Sequence, residues 1–292
     1  MVERASDAPK ARPLWMRVVL GLAACGFILG IYLSYRAQPD ILESLNWASL
    51  VLVTFVGVPI IMMLNILEFQ TSAKLVGQRF SLVQAAEITI IGSVANMLPV
   101  PGGTMVRVAA LKAGGATIKR GTSVTLLVSG LWVGISFIYS GLWLLWLEIT
   151  AFNLGLLLLG GGVAALVICV FLSLKVMNDG SIIAKLTMLK IGLVVADATR
   201  IFGCLVALGE AASFAQASVL AVSGVLGAAV SIVPAGLGIR EGAAALLAPI
   251  VSVSIASAYL AASLNRITGL LIMTPAALYL ALRSNKAKKS NT

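Results

Sequence analysis

The stretch "SIVPAGLGIREGAAALL", residues 231–247, sets a proline, two glycines and an Arg-Glu pair inside one of the most apolar regions of the chain. Lipid cannot satisfy the N–H and C=O groups that a broken helix frees, so such a break survives at membrane depth only against protein or a water-filled cavity. Its surroundings are membrane-like. Of the 292 residues, 60% are hydrophobic and 11% charged, against roughly 45–50% and 25% in soluble domains. Runs at 16–34, 47–67, 123–147 and 154–174 reach the ~20 residues that cross a bilayer core.

The first run follows Arg4, Lys10, Arg12 and Arg17, as a secretory signal would. It is too long for a signal core and no small-x-small cleavage site follows it, so it reads as an uncleaved first span. Cys25, Cys169 and Cys204 all lie in apolar segments without CxxC spacing, and the chain has no histidine. Disulfide frameworks, zinc sites and His-based catalysis therefore have no support, and neither metal nor cofactor is expected.

The net charge of +10 is placed as a topology signal. Of 21 Lys and Arg residues, fifteen fall on one side in a single topology: Arg4, Lys10, Arg12, Arg17, Lys74, Arg79, Lys119, Arg120, Lys175, Lys185, Lys190, Arg283, Lys286, Lys288 and Lys289. Only Arg36 falls in a loop on the other side. This is the positive-inside asymmetry, and it assigns both termini to the cytoplasm. Residues 1–14 and 283–292 are then basic cytoplasmic ends that face anionic lipid rather than nucleic acid.

That topology requires two apolar regions not to cross. One, at about 82–113, contains "NMLPVPGGTMVR"; the other, at about 219–250, contains the opening stretch. Each splits into two helical pieces too short to span and reads as a re-entrant hairpin. The expected fold is an all-α polytopic membrane protein in one domain, 15–282. It has about six full spans, at 15–34, 47–67, 122–147, 152–174, 191–209 and 253–282, plus two inverted re-entrant hairpins. Residues 47–147 and 191–282 are the candidate inverted repeats, as in transporters whose broken helices meet near the midplane.

The breaks carry chemistry. Gly102, Gly103, Gly236 and Gly238 allow tight turns and close backbone approach; Pro99, Pro101 and Pro234 end the preceding helices. Helices restarting near Thr104 and Ile239 offer N–H groups and positive dipole ends, and with Arg107 and Arg240 in their first turns each suits a phosphate. Glu241 either holds Arg240 at rest or neutralises it at a headgroup-level turn. Intramembrane charge is costly and usually functional, which favours a binding role.

Other polar positions are read more plainly. Asp197 and Arg200, at i and i+3, form an intrahelical pair, with a proton- or ion-coupling role for Asp197 as the sharper reading. Glu87 sits in the first hairpin or at the cytoplasmic interface. Asn265 and Arg266 point at a cavity or at Glu241. The run Gly160-Gly161-Gly162 is helix packing, Met62 and Met63 fill core, and Trp143 and Trp146 form an interface belt.

"PAGLGIREGAAALL", with "AASLNRITGLL" about twenty residues later, resembles the signature of the lysylphosphatidylglycerol synthase membrane region, also called the flippase-like family. "NMLPVPGGTMVRVAAL" resembles its first signature. The resemblance covers about residues 15–282. It implies an inner-membrane protein associated with moving polar lipids between leaflets: phospholipids, polyprenyl-phosphate-linked sugars or hopanoid-type lipids. By matching motif positions it carries over Asn96, Pro99, Gly103 and Arg107, then Pro234, Gly236, Gly238, Arg240, Glu241 and Arg266. Thr104 stands where relatives often have an acidic residue, and Trp132 near where they often have an Arg, so the usual headgroup does not carry over.

The family's name-giving enzyme adds a soluble aminoacyl-transferase domain that has no counterpart in residues 1–292, so aminoacyl-lipid synthesis by this chain alone is not expected. Two functions follow. One is a non-enzymatic lipid flippase or lipid-carrier transporter, with Arg107, Arg240 and Arg266 on an anionic headgroup. The other is a membrane scaffold for a lipid-modifying enzyme or glycosyltransferase. An integral transferase is disfavoured by the absence of histidine and of any acidic cluster.

The topology gives a direct test. Single cysteines replacing Asp40, Lys119, Asn153 and Lys185, in a background without Cys25, Cys169 and Cys204, should react with an impermeant thiol reagent in whole cells only at positions 40 and 153. Labelling at 119 would turn the first hairpin into a span.

Overall fold

The computed structural model describes residues 14–96, 102–147, 152–177, 179–229 and 236–290, and the regular elements among them are all helical. Helix α1 covers Leu14–Ala37. Helix α2, Trp47–Leu52, runs through a π turn at Val53–Gly57 directly into α3, Val58–Lys74. Then follow α4 (Leu82–Ala95), α5 (Gly102–Ala113), α6 (Ile118–Trp146), α7 (Phe152–Met177) and α8 (Gly180–Ala207). The chain closes with α9 (Phe214–Leu220), α10 (Ser223–Ala229), α11 (Ile239–Leu247) and α12 (Ile255–Ser290).

Four stretches are long and apolar enough to cross a membrane: Trp47–Lys74, Ile118–Trp146, Phe152–Leu174 and Ile255–Arg283. Two expected spans are not among them. In α1 the apolar helix is Gly21–Ala37, and α8, although 28 residues long, carries Lys185, Lys190, Asp197 and Arg200.

The two Pro/Gly regions are pairs of short helices packed on each other, α4 with α5 and α10 with α11. At 1.5 Å per residue, α4, α5 and α11 measure only ~21, ~18 and ~14 Å, against ~30 Å of hydrocarbon. Both close approaches depend on glycine. A Cβ on Gly102 would collide with the carbonyl of Ala95, and one on Gly236, where φ is +64°, with that of Gly227. Pro99, Pro101 and Pro234 lie outside the described residues.

The first limb of each hairpin starts in the same way. Ser81 caps α4 and Gln84 returns the bond, and Ser213 and Gln216 do the same at α9. These reciprocal bonds satisfy helix-start N–H groups that would otherwise be orphaned. "SLVQA" at 81–85 thus matches "SFAQA" at 213–217. The helices that follow the hairpins also start alike: Thr117 accepts from the Arg120 N–H, and Ser254 from the Ser257 N–H.

Packing repeats with the sequence. Helices α3 and α8 lie against each other; α4 packs on α12 while α9 packs on α6; α5 lies on α6 and α11 on α12. Outside these, α7 covers α6 and α1 covers α12. Exchanging α3, α4, α5, α6 and α7 for α8, α9–α10, α11, α12 and α1 leaves these neighbours unchanged. Helix α1 therefore holds the place relative to α12 that α7 holds relative to α6.

The largest core cluster joins α8, α9 and α12 through residues such as Ile201, Leu205, Leu220, Val251 and Ala262. Trp143 packs edge-on against Phe214 and Tyr139 and belongs to this core, whereas Trp146 is 75% exposed. Met62 packs on a second cluster under α3, and Met63 faces outward.

In the glycine run of α7, only Gly162 packs. Its Cβ position lies 2.7 Å from the Gly134 carbonyl of α6, while Gly160 and Gly161 have nothing within 4 Å. Gly162→Val should therefore destabilise the protein by about 1–3 kcal/mol through overpacking, seen as an earlier thermal transition in detergent. Gly161→Val should leave that transition in place.

Candidate functional site: two buried charge clusters

The first cluster is built on Glu68 of α3, whose side chain is fully buried. Arg107 of α5 reaches Oε1 at 2.7 Å, and Lys190 of α8 reaches Oε2 at 2.6 Å. The Arg107 guanidinium also lies 6.0 Å from the centre of the Phe69 ring, a cation–π distance. Glu68 thus joins the first hairpin to two long helices, and both its oxygens are engaged by charge-assisted bonds.

The second cluster gathers five charged residues from three helices. On α11, Glu241 is fully buried and accepts from Arg266 Nε of α12 at 2.7 Å and from the Gly238 N–H at 2.8 Å. Arg266 Nη2 also donates to the Gly236 carbonyl. Arg240, on the same helix, faces Asp197 of α8 with Nη2 3.4 Å from both carboxylate oxygens. Asn265 Nδ2 of α12 donates to Asp197 Oδ1 at 3.0 Å. Arg200, one turn on from Asp197, turns away and donates to the Asn265 carbonyl at 2.6 Å and to the Thr268 hydroxyl at 2.9 Å. The stem of Arg200 passes where a Cβ on Gly57 would stand, at the end of the π turn. Such turns recur at functional sites.

These contacts correct three expectations. Glu241 does not hold Arg240: its partner is Arg266, and Arg240 belongs to Asp197. Arg200 does not close an intrahelical pair with Asp197 but crosses to α12. The restarting helices are not wholly open, because one donor at each break is taken: Gly103 N–H donates to Asn96 Oδ1 at 2.7 Å, and the N–H of Gly238, just before α11, donates to Glu241.

Lys190 and Asp197 are seven residues apart on α8, which separates the clusters by ~10 Å along the axis. The cavity beside Gly238, about 410 Å³, is an apolar groove between α1 and the second hairpin, lined by Val19, Leu22, Ala23, Gly26, Leu237, Gly238, Ile239 and Tyr259. Gly103, Arg107, Arg240 and Arg266 do not line it. Among the described residues no three His, Cys, Asp and Glu side chains gather where they could share a metal ion.

The halves correspond chemically. In each, an acid on the long helix before the hairpin pairs with an arginine four residues after a hairpin glycine: Glu68 with Arg107, following Gly103, and Asp197 with Arg240, following Gly236. By formal charge, each cluster holds one more cation than anion. Sequence reasoning passed over Glu68, although an acid within "LNILEFQ" is the usual mark of intramembrane function. It also counted Lys190 among cytoplasmic residues, whereas Lys190 is 6% exposed and bonded to Glu68.

Comparison with models of known protein families and with curated proteins finds no match to this chain.

Removing one member of a buried ion cluster costs about 3–5 kcal/mol when its partners stay charged. Glu68→Gln should therefore lose much of the yield and thermal stability of the wild type. Adding Lys190→Met should restore part of both, because one of the two stranded cations then disappears. A double variant no better than Glu68→Gln would show that Lys190 is not stranded by loss of the acid.

Proposed function

We propose that this protein is a flippase or lipid-carrier transporter of the inner membrane, which moves an amphipathic lipid with a phosphate-bearing headgroup between leaflets. In this reading α1, α2–α3, α6, α7, α8 and α12 are six spans with both termini in the cytoplasm. The pairs α4–α5 and α9–α11 are re-entrant hairpins that enter from opposite faces as parts of inverted repeats. Breaks that face protein rather than lipid suit such hairpins, and paired inverted hairpins suit alternating access.

The observation that carries the reading is Arg240. It stands in the first turn of a restarting helix with its side chain 19% exposed, facing Asp197 at 3.4 Å rather than locked at 2.7 Å, and its Nε has no partner within the protein. A guanidinium held this loosely has donors to offer a phosphate fork. The surplus cation of its cluster favours an anion, and the groove along Gly238 lies at the same break, where an apolar tail would run. The likeness of "PAGLGIREGAAALL" and "NMLPVPGGTMVR" to the flippase-like family agrees with this assignment.

Reconstitution tests it. In vesicles carrying tail-labelled phosphatidylglycerol, the wild type should expose inner-leaflet label to a membrane-impermeant quencher. Arg240→Ala should slow this at least tenfold, and Arg240→Lys should also be impaired because an ammonium cannot present two parallel donors. Native mass spectrometry of the purified protein should find a co-purified lipid with an anionic headgroup. Unchanged scrambling in both variants, with partners in the membrane retained, would instead favour the scaffold.

A further inference from the structure

Of the acid–cation pairs inside the described helices, three are short and one is long. Glu68 is bonded at 2.7 and 2.6 Å by two cations, and Glu241 at 2.7 Å by Arg266 and at 2.8 Å by the Gly238 N–H, with both carboxylates fully buried. Asp197 and Arg240 meet only at 3.4 Å, with side chains 24% and 19% exposed. This pair can open without stranding a sealed charge.

The atoms around it are also incompletely bonded. Five buried side-chain polar atoms among the described residues have no partner within the protein, and four of them belong here: Arg240 Nε, Arg200 Nε, Asn265 Oδ1 and Ser223 Oγ. Ser223 adjoins Gly224, whose Cβ position lies 3.4 Å from Asp197 Oδ2 and 3.6 Å from the Arg240 guanidinium carbon. Buried polar atoms are almost always bonded, so four orphans around one loose ion pair mark a place built for more than one arrangement.

Asn265 is the telling side chain. Its Nδ2 donates to the Asp197 carboxylate, while its Oδ1 is free and the residue is 2% exposed. An amide turned over would accept from a carboxylic O–H as readily as it now donates to a carboxylate. Asp197 thus has a partner for both of its protonation states.

We infer that the Asp197–Arg240 pair is an exchange site that binds a phosphodiester anion and one proton together. This rests on the proposal that Arg240 binds the transported headgroup. The anion takes Arg240. Asp197, left without its cation beside the bound negative charge, accepts a proton from the aqueous side, and its new O–H is held by Asn265 Oδ1. When the anion leaves on the other side, Arg240 returns to Asp197 and the proton is released. One negative charge and one proton move together, so the step carries no net charge. The other charged or titratable groups of the cluster are Arg200 and Cys204 on α8 and the Glu241–Arg266 pair of α11 and α12; α2, the π turn and α9 bring no titratable side chain. Tyr139 of α6 is bonded to Ser218, and the Glu68–Arg107–Lys190 cluster lies two turns away along α8.

The test is proton stoichiometry on the full chain in weakly buffered detergent with a pH-indicating dye. The probes are short-chain phosphatidylglycerol and its tail-free headgroup, glycerophosphoglycerol, neither of which titrates near neutrality. About one proton should be taken up per anion bound, and binding should weaken about tenfold per pH unit on the alkaline side, as expected for one linked proton. Asp197→Asn should abolish the uptake and flatten the pH dependence. Uptake with the lipid alone makes the tails part of recognition; uptake with both probes places recognition in the phosphodiester. Binding that needs Arg240 but takes up no proton overturns the coupling and leaves the transport reading standing. Binding indifferent to Arg240→Ala, or none with either probe, overturns both. If Asp197→Asn does not purify, the wild-type stoichiometry alone decides.

Discussion

A carboxylate or a guanidinium inside an apolar helix bundle has to meet its opposite, because several kcal/mol of desolvation per ion must be offset. In this chain the partners stand on different helices, and so pairing the charges also places the hairpins. Glu68 ties α5 to α3 and α8. Glu241 ties α11 to α12 through Arg266 and also holds the N–H of Gly238 at the break itself. The short hairpin helices have few turns of their own to stabilise them. Their position depends on these bonds and on backbone approaches that only glycine permits, Gly102 at Ala95 and Gly236 at Gly227.

The same plan occurs twice, with one difference. Both halves place an acid before the hairpin and an arginine after its glycine, and both exchange hairpin contacts with the other half, α4 on α12 and α9 on α6. In the first half Lys190 adds a second cation to Glu68 and closes the cluster. In the second half the additional cations go elsewhere: Arg266 to Glu241, and Arg200 to a carbonyl and a hydroxyl of α12. Asp197 is left with one loose arginine and an amide. Both hairpins are fastened by a buried glutamate, but the arginine four residues after the hairpin glycine sits 2.7 Å from its acid in the first half and 3.4 Å in the second.

Composition and the Pro/Gly breaks made the apolar all-helical class and the two pairs of short packed helices legible, since hydropathy and turn chemistry are local properties. The charge partners were not legible, and geometry explains why. Arg240 and Glu241 are neighbours in sequence, but consecutive helical residues point ~100° apart and cannot face each other, so each finds a different helix. Asp197 and Arg200 have the right spacing to meet, yet the long Arg200 side chain reaches the Asn265 carbonyl and the Thr268 hydroxyl across the interface. Lys190 sits where a boundary drawn by hydropathy ends the span, and only the fold shows it bonded to Glu68. One signal was present and unused: Ser-x-x-Gln at 81–84 and again at 213–216, the start of each hairpin.

The break at Gly238 lies between two different environments. On one side, α1 contributes Val19, Leu22, Ala23 and Gly26 to an apolar groove; on the other, α8 and α12 contribute Asp197, Asn265 and Arg266 to a charged cluster. A purely polar solute has no use for the groove, and a purely apolar one gains nothing from the cluster. Helix α1 stands against α12 as α7 stands against α6, and it also meets the second break, where a Cβ on Gly238 would lie within 4 Å of Ala23 and Phe27. The groove and the loose ion pair therefore coincide in the same half of the molecule. In the transport reading proposed above, that coincidence would seat a molecule with one anionic end and one hydrocarbon end.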